Sequence, residues 1–145
     1  MTVKSTERPL PLVYEEQGDT LLLRLSESPR RVSTENGEEW EYEEFTLTVP
    51  KREDVEHTVL PYAEAWLFLA KERERRDLAC ALRAQRDALL MQSDWTQCAD
   101  APLSAECVRA WAVYRRQLRD LPAQAGFPYG VRLPTPPQKE TDADV

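Results

Sequence analysis

Histidine occurs once in this 145-residue chain, glycine four times and cysteine three times, and each scarcity removes a class of chemistry. With His57 the sole imidazole, a nucleophilic cysteine has almost no choice of base and a histidine-rich metal centre cannot be built. His57 sits in a charged stretch after Pro50, with no cysteine at ligand spacing, which fits a surface residue. Cys98 and Cys107 stand nine positions apart, without a CxxC pair or a nearby histidine, so zinc has no ligand set. An odd number of cysteines without a small-domain framework fits a reduced cytosolic chain. Four glycines form no glycine-rich phosphate loop. Long apolar runs are missing as well. A run such as Leu21 to Leu23 is far too short to cross a bilayer, and MTVKSTERPLP has no apolar stretch fit for a signal peptide. The composition points away from an enzyme, a metal, a cofactor and a membrane.

What is present is acidity, and it is uneven. The net charge is −7, and residues 1–60 carry all of it, with 7 basic and 14 acidic side chains. Residues 61–145 hold 12 of each and are neutral. An acidic first part repels phosphate backbones, so nucleic acid is not the expected partner. The run Glu38-Glu39-Trp40-Glu41-Tyr42-Glu43-Glu44 could suggest calcium, but successive strand residues face opposite sides, so it reads as a solvated strand face.

The pattern predicts an α+β chain: a small N-terminal antiparallel β region over 1–60, a helical module over 61–137 and a disordered tail over 138–145. Leu12-Val13-Tyr14 and Thr20 to Leu25 flank a turn at Gln17-Gly18-Asp19, and Asn36-Gly37 signals a hairpin. Trp40 and Tyr42 fall out of phase with Phe45, Leu47 and Val49, which predicts a bulge near Glu43-Glu44. From Tyr62 to Gln92 the chain has helix formers and no Gly or Pro. Tyr62, Trp66 and Leu69 share one stripe of that helix; Leu78, Leu82 and Leu89 share another, on nearly the opposite side. A helix that changes its apolar face changes its partner, from the β region to the next helix; a break near Arg75 is the alternative.

That next helix is predicted from Ser104, its cap, to Leu121, with Pro122 as its stop. Trp111, Tyr114, Leu118 and Leu121 form its stripe, and Arg109, Arg116 and Arg119 its flank. Between the helices, Asp94-Trp95-Thr96-Gln97 reads as a short turn in which Asp94 caps and Gln97 answers as in a capping box. The helices then form an antiparallel hairpin with a Pro-rich tail. Trp95 and Trp111 are expected to be buried, and Asp94 to bond the backbone of the corner.

The segment RDALLMQSDWTQCADAPLSAECVRAWAVYRRQLRDLPAQAGFP resembles the C-terminal module of bacteriophage tail assembly chaperones. The residues that carry the likeness are Arg86, Asp87, Leu89, Leu90, Asp94, Trp95, Thr96, Gln97, Asp100, Pro102, Leu103, Trp111, Tyr114, Arg115, Leu118, Arg119, Asp120, Leu121 and Pro122. A related helix and proline-rich ending occurs in tail fibre assembly proteins. One departure is the ending: the family closes with a Trp-Pro-x-x-Pro-like element, where this chain has Leu133-Pro134-Thr135-Pro136-Pro137. The resemblance implies a non-enzymatic helper that binds a phage tail or tail-fibre polypeptide in the host cytoplasm during virion assembly. A structural tail or baseplate adaptor that stays in the virion is the alternative. Trp and Arg are favoured interface anchors and Tyr is enriched with them, so Trp95, Arg109, Trp111, Tyr114, Arg115, Arg116 and Arg119 are the candidate partner-binding residues. Asp94, Gln97, Asp100, Pro102, Leu118 and Asp120 are the candidate structural motif. The Trp-Tyr-Arg helix thus supplies either core or grip, and the oligomeric state stays open.

Overall fold

Alternation decides the first unit. A computed structural model describes residues 1–138 and shows an α+β chain. Its strands are β1 (Thr2–Ser5), β2 (Leu12–Gln17), β3 (Thr20–Thr34) and β4 (Gly37–Pro50), in the antiparallel order β1-β4-β3-β2. Leu21, Leu23 and Leu25 are fully buried, and Leu47 and Val49 lie on the same face, so one side of the sheet is core. The other side carries cross-strand ion pairs. Arg24 reaches Glu44 at 3.4 Å and Glu15 at 3.8 Å, and Arg31 reaches Glu38 at 3.2 Å. The acidic run is therefore interleaved with arginines. Glu43 accepts from the Thr2 hydroxyl at 2.6 Å, and chiefly that bond holds its carboxyl below the ordinary range.

Two sequence expectations shift by a residue or a strand. Thr34 pairs with Gly37, so the hairpin tip is Glu35-Asn36 rather than Asn36-Gly37. The Thr34 hydroxyl explains this: it accepts from the Asn36 amide at 3.3 Å and donates to the Gly37 carbonyl at 2.9 Å, strapping the earlier turn. The bulge lies on β3, not at Glu43-Glu44. Glu27 faces Glu43 while Arg30 faces Glu41, which leaves one extra residue at Ser28-Pro29. Ser28 has φ 52°, and Pro29 has no N–H to give a ladder, so the bulge forms where pairing is already weakened.

After the sheet come α1 (Val55–Thr58), a 3-10 turn at Leu60–Tyr62, and α2 (Ala63–Gln92), a single unbroken helix of 30 residues. The break considered near Arg75 does not occur. The early half of α2 packs Ala63, Trp66, Leu67 and Ala70 on the sheet core, and Trp66 Nε1 donates to the Val59 carbonyl at 3.1 Å. The small side chains Ala63 and Ala70 let that face approach the strands, so the stripe turns away from Tyr62 and Leu69, which stay exposed. Lys71 holds both Glu27 carboxylate oxygens at 2.8 Å.

The chain divides into two units, Met1–Glu74 and Arg75–Val145, with the boundary inside α2. In the second unit, α3 (Ala105–Arg119) begins at Ser104, whose side chain accepts from the Cys107 amide, and ends at Asp120. Pro122 follows in a 3-10 turn, Leu121–Ala123. Leu89 and Leu90 of α2 pack against Trp111, Tyr114 and Leu118 of α3. Leu78 of the expected stripe is exposed. Arg115 bonds at Leu90, while Phe127, beyond the end of α3, lies under Arg83 at 5.2 Å, so the two segments run in opposite directions. Except for Gln138, the expected disordered tail lies outside the described residues.

Candidate partner-binding site

Helix ends leave carbonyls without intrahelical donors, and at the end of α2 Leu89 and Leu90 are half-buried. Ser93, 3% exposed, turns its hydroxyl onto Leu89 and Leu90 carbonyls at 2.8 and 3.1 Å. Arg115 completes the closure. It is 7% exposed, and its guanidinium donates to the Leu90 carbonyl at 2.6 Å, the Ser93 hydroxyl at 2.9 Å and the Asp94 carboxylate at 2.5 Å. A planar fork with five donors suits three acceptors on one curved chain, which a lysine could not match.

The 3-10 turn Asp94–Gln97 follows, held by the fully buried Thr96, whose hydroxyl donates to the Ser93 carbonyl at 2.7 Å. The capping box predicted here does not form. Asp94 is drawn to Arg115 instead of to a backbone amide. Gln97 donates to the Thr96 hydroxyl at 3.1 Å and the Val108 carbonyl at 3.4 Å, tying the turn to α3. Ser-Asp-x-Thr-Gln is thus a corner clasp, with each polar side chain assigned a partner.

The candidate residues separate into interior and surface sets. Trp111 (8% exposed), Tyr114 (4%), Arg115 and Leu118 (0%) form the interior, with Trp111 and Tyr114 edge to face at 5.6 Å and 86°. Burial pushes the Tyr114 phenol up from its ordinary value. Arg109, Arg116 and Arg119 are exposed, as are Gln97, Asp100, Pro102 and Asp120. At 100° per residue, Arg109 and Arg116 lie roughly 140–160° round the helix from Trp111, on its outward side. Trp95 corrects the expectation of burial: it is 41% exposed. The clasp uses the polar side chains around it, which leaves the indole at the rim.

That rim borders an open depression of about 220 Å³ lined by Leu89, Gln92, Ser93, Trp95, Trp111, Tyr114 and Pro136. Leu133 packs into the aromatic cluster, so the divergent tail is anchored by an aliphatic side chain. Sequence reasoning missed Ser93, Gln92, Leu133 and Pro136. For Ser93 the signal was available: a serine directly after a helix end, beside an aspartate.

Among the described residues no group of three His, Cys, Asp or Glu side chains is placed to hold a metal. His57 is exposed and sits 2.7 Å from Asp54. No described helix is long and apolar enough to cross a membrane.

Comparison with known proteins falls on the same segment. Residues 79–138 match the phage tail assembly chaperone protein family. The match covers less than half of the chain, and neither a curated protein nor a solved structure matches. The matched segment contains the whole clasp, the aromatic cluster and the anchored tail; the sheet lies outside it. Within that segment, Trp95→Ala is expected to cost no more than about 1–2 kcal/mol, well below a core aromatic truncation, because much of the ring already meets water. Chemical denaturation of the purified variant measures this.

Proposed function

We propose that this protein is a non-enzymatic chaperone of phage tail or tail-fibre assembly, acting in the cytoplasm of the bacterial host. The observation that carries the reading is the family match of residues 79–138. The geometry of that segment supports it. Its buried side chains go into making a stiff corner, and the exposed ones are of types that grip polypeptide: an indole beside an apolar depression, and arginines on the outward face of α3. A holder of unassembled polypeptide needs such a surface and no reacting group.

Two surfaces of the segment are available to the client, and one experiment separates them. The test is co-expression of the chain with phage tail and tail-fibre polypeptides, reading the soluble fraction of each polypeptide. One of them is expected to become soluble only with the chain present. Trp95→Ala is expected to lower its recovery if the client lies over the depression. Arg109→Glu with Arg116→Glu is expected to lower it if the client lies on the outward face, with thermal stability nearly unchanged in either case, since both arginines are exposed. No solubility gain for any tail polypeptide defeats the chaperone reading. A gain that neither variant reduces moves the grip off the α3 segment.

A further inference from the structure

The sheet of the first unit ends in an open strand. In the register of β2 and β3, Gln17 faces Thr20 across a two-residue turn, and the Ser26 amide donates to the Pro11 carbonyl at 3.2 Å. Antiparallel ladders alternate between hydrogen-bonded and non-hydrogen-bonded pairs. Pro11, Val13, Glu15 and Gln17 therefore turn their backbone groups toward β3. Leu12, Tyr14 and Glu16 turn their N–H and C=O groups outward. β2 is an edge strand, and every residue from Val13 to Gln17 is exposed, so among the described residues no strand pairs with that row.

Natural edges are blunted by bulges, prolines, charged side chains or short length. Between Val13 and Gln17, β2 has no bulge and no proline, its charges are Glu15 and Glu16 alone, and its bulge-bearing neighbour lies on the other side. It also presents Val13 at 47% and Tyr14 at 39% exposure, one on each face. Its two glutamates are already engaged: Glu16 with Lys51 at 2.6 Å and Glu15 near Arg24 at 3.8 Å. The edge is thus a template of three outward donor and acceptor pairs with apolar contacts on both sides.

Charge selects the occupant. Residues 1–74 hold 9 basic and 17 acidic side chains, a net of −8. A second copy would bring another strongly acidic unit to this edge. A positively charged extended segment meets the opposite field. We propose that β2 accepts an extended, basic segment of the client polypeptide as a fifth strand, through the outward backbone groups of Leu12, Tyr14 and Glu16. Main-chain bonds supply affinity without demanding one client sequence, and charge supplies selection. The inference deepens the chaperone reading and rests on it for the nature of the partner.

The probe is a strand-length synthetic peptide alternating lysine with valine, added to the full-length chain; its counterpart has glutamate in place of lysine. Amide exchange is followed residue by residue by NMR. The basic peptide is expected to slow exchange at Leu12, Tyr14 and Glu16, and to leave Val13 and Glu15 as slow as they already are. Tyr14→Pro removes one outward donor and leaves the β2–β3 ladder whole, so it is expected to weaken the peptide by about tenfold or more. Tyr14→Thr, which keeps the donor, is expected to bind within a few-fold. Should Tyr14→Pro lower the thermal midpoint, Glu16→Pro repeats the test one outward position on. Unchanged exchange at the three amides overturns the proposal, and so does equal binding of the glutamate peptide. Slow exchange at those amides without peptide, in a chain that sediments as a dimer, also overturns it and assigns the edge to a second copy. No tail polypeptide enters this assay, so a negative result removes the edge and leaves the solubility test of the chaperone reading intact.

Discussion

Arg115→Ala is expected to destabilise the second unit by about 3 kcal/mol or more, the effect of removing one partner from a buried, charged network. The Leu90 carbonyl and the Ser93 hydroxyl lose a charged donor at a partly to fully buried site. The packing of the guanidinium stem against the corner goes as well. Arg115→Lys is expected to recover little, because an ammonium cannot reach three acceptors spread along a turn. Asp94→Asn tests the third contact alone. Asp94 is 64% exposed on its side chain, so that change is expected to cost within about 1 kcal/mol. Urea denaturation of the three variants gives the comparison. An Arg115→Ala variant as stable as the parent would mean that the clasp does not hold the corner.

Trp111→Ala is expected to have the larger effect, about 3–5 kcal/mol, since it empties the centre of the cluster formed with Tyr114, Leu118, Leu89, Leu90, Leu103 and Leu133. Trp111→Phe separates packing from polarity. The buried Nε1 of Trp111 finds no acceptor among the described residues. Phenylalanine loses part of the ring volume but removes an unpaired N–H, so the two changes oppose each other. The expected net cost is within about 1.5 kcal/mol by that balance. Near-ultraviolet circular dichroism alongside denaturation tells a filled cluster from a loosened one. A Trp111→Phe variant as unstable as Trp111→Ala would show that Nε1 has a partner after all.

How much of this was legible in the sequence depends on the range of the interactions. The β2–β3 turn, the long helix and the Ser104 cap follow from local chemistry, and each stands where the residues place it. The bulge was legible as a break in phase, but the break shows only that two strands disagree, and the extra residue went to the strand with Pro29. The stripe of early α2 does not follow the large side chains Tyr62 and Leu69, because Ala63 and Ala70 are the residues small enough to permit close approach to the sheet. Arg115 reads as a partner-binding residue because its acceptors lie 21 to 25 positions earlier, a distance at which no local rule operates. Trp95 reads as core for the opposite reason. Its neighbours in sequence are the clasp, yet the indole itself is not needed for it. The open edge of β2 could not be read from sequence at all, since strand order decides which strand lacks a neighbour.

The central claim is that the chain assists assembly and leaves before the particle is complete. Quantitative mass spectrometry of purified virions, set against the lysate of the same infected cells, tests it most directly. The chain is expected to be abundant in the lysate beside tail polypeptides and absent from the virion. Its presence in the virion in fixed stoichiometry with a tail or baseplate protein would contradict the account and make it a structural adaptor.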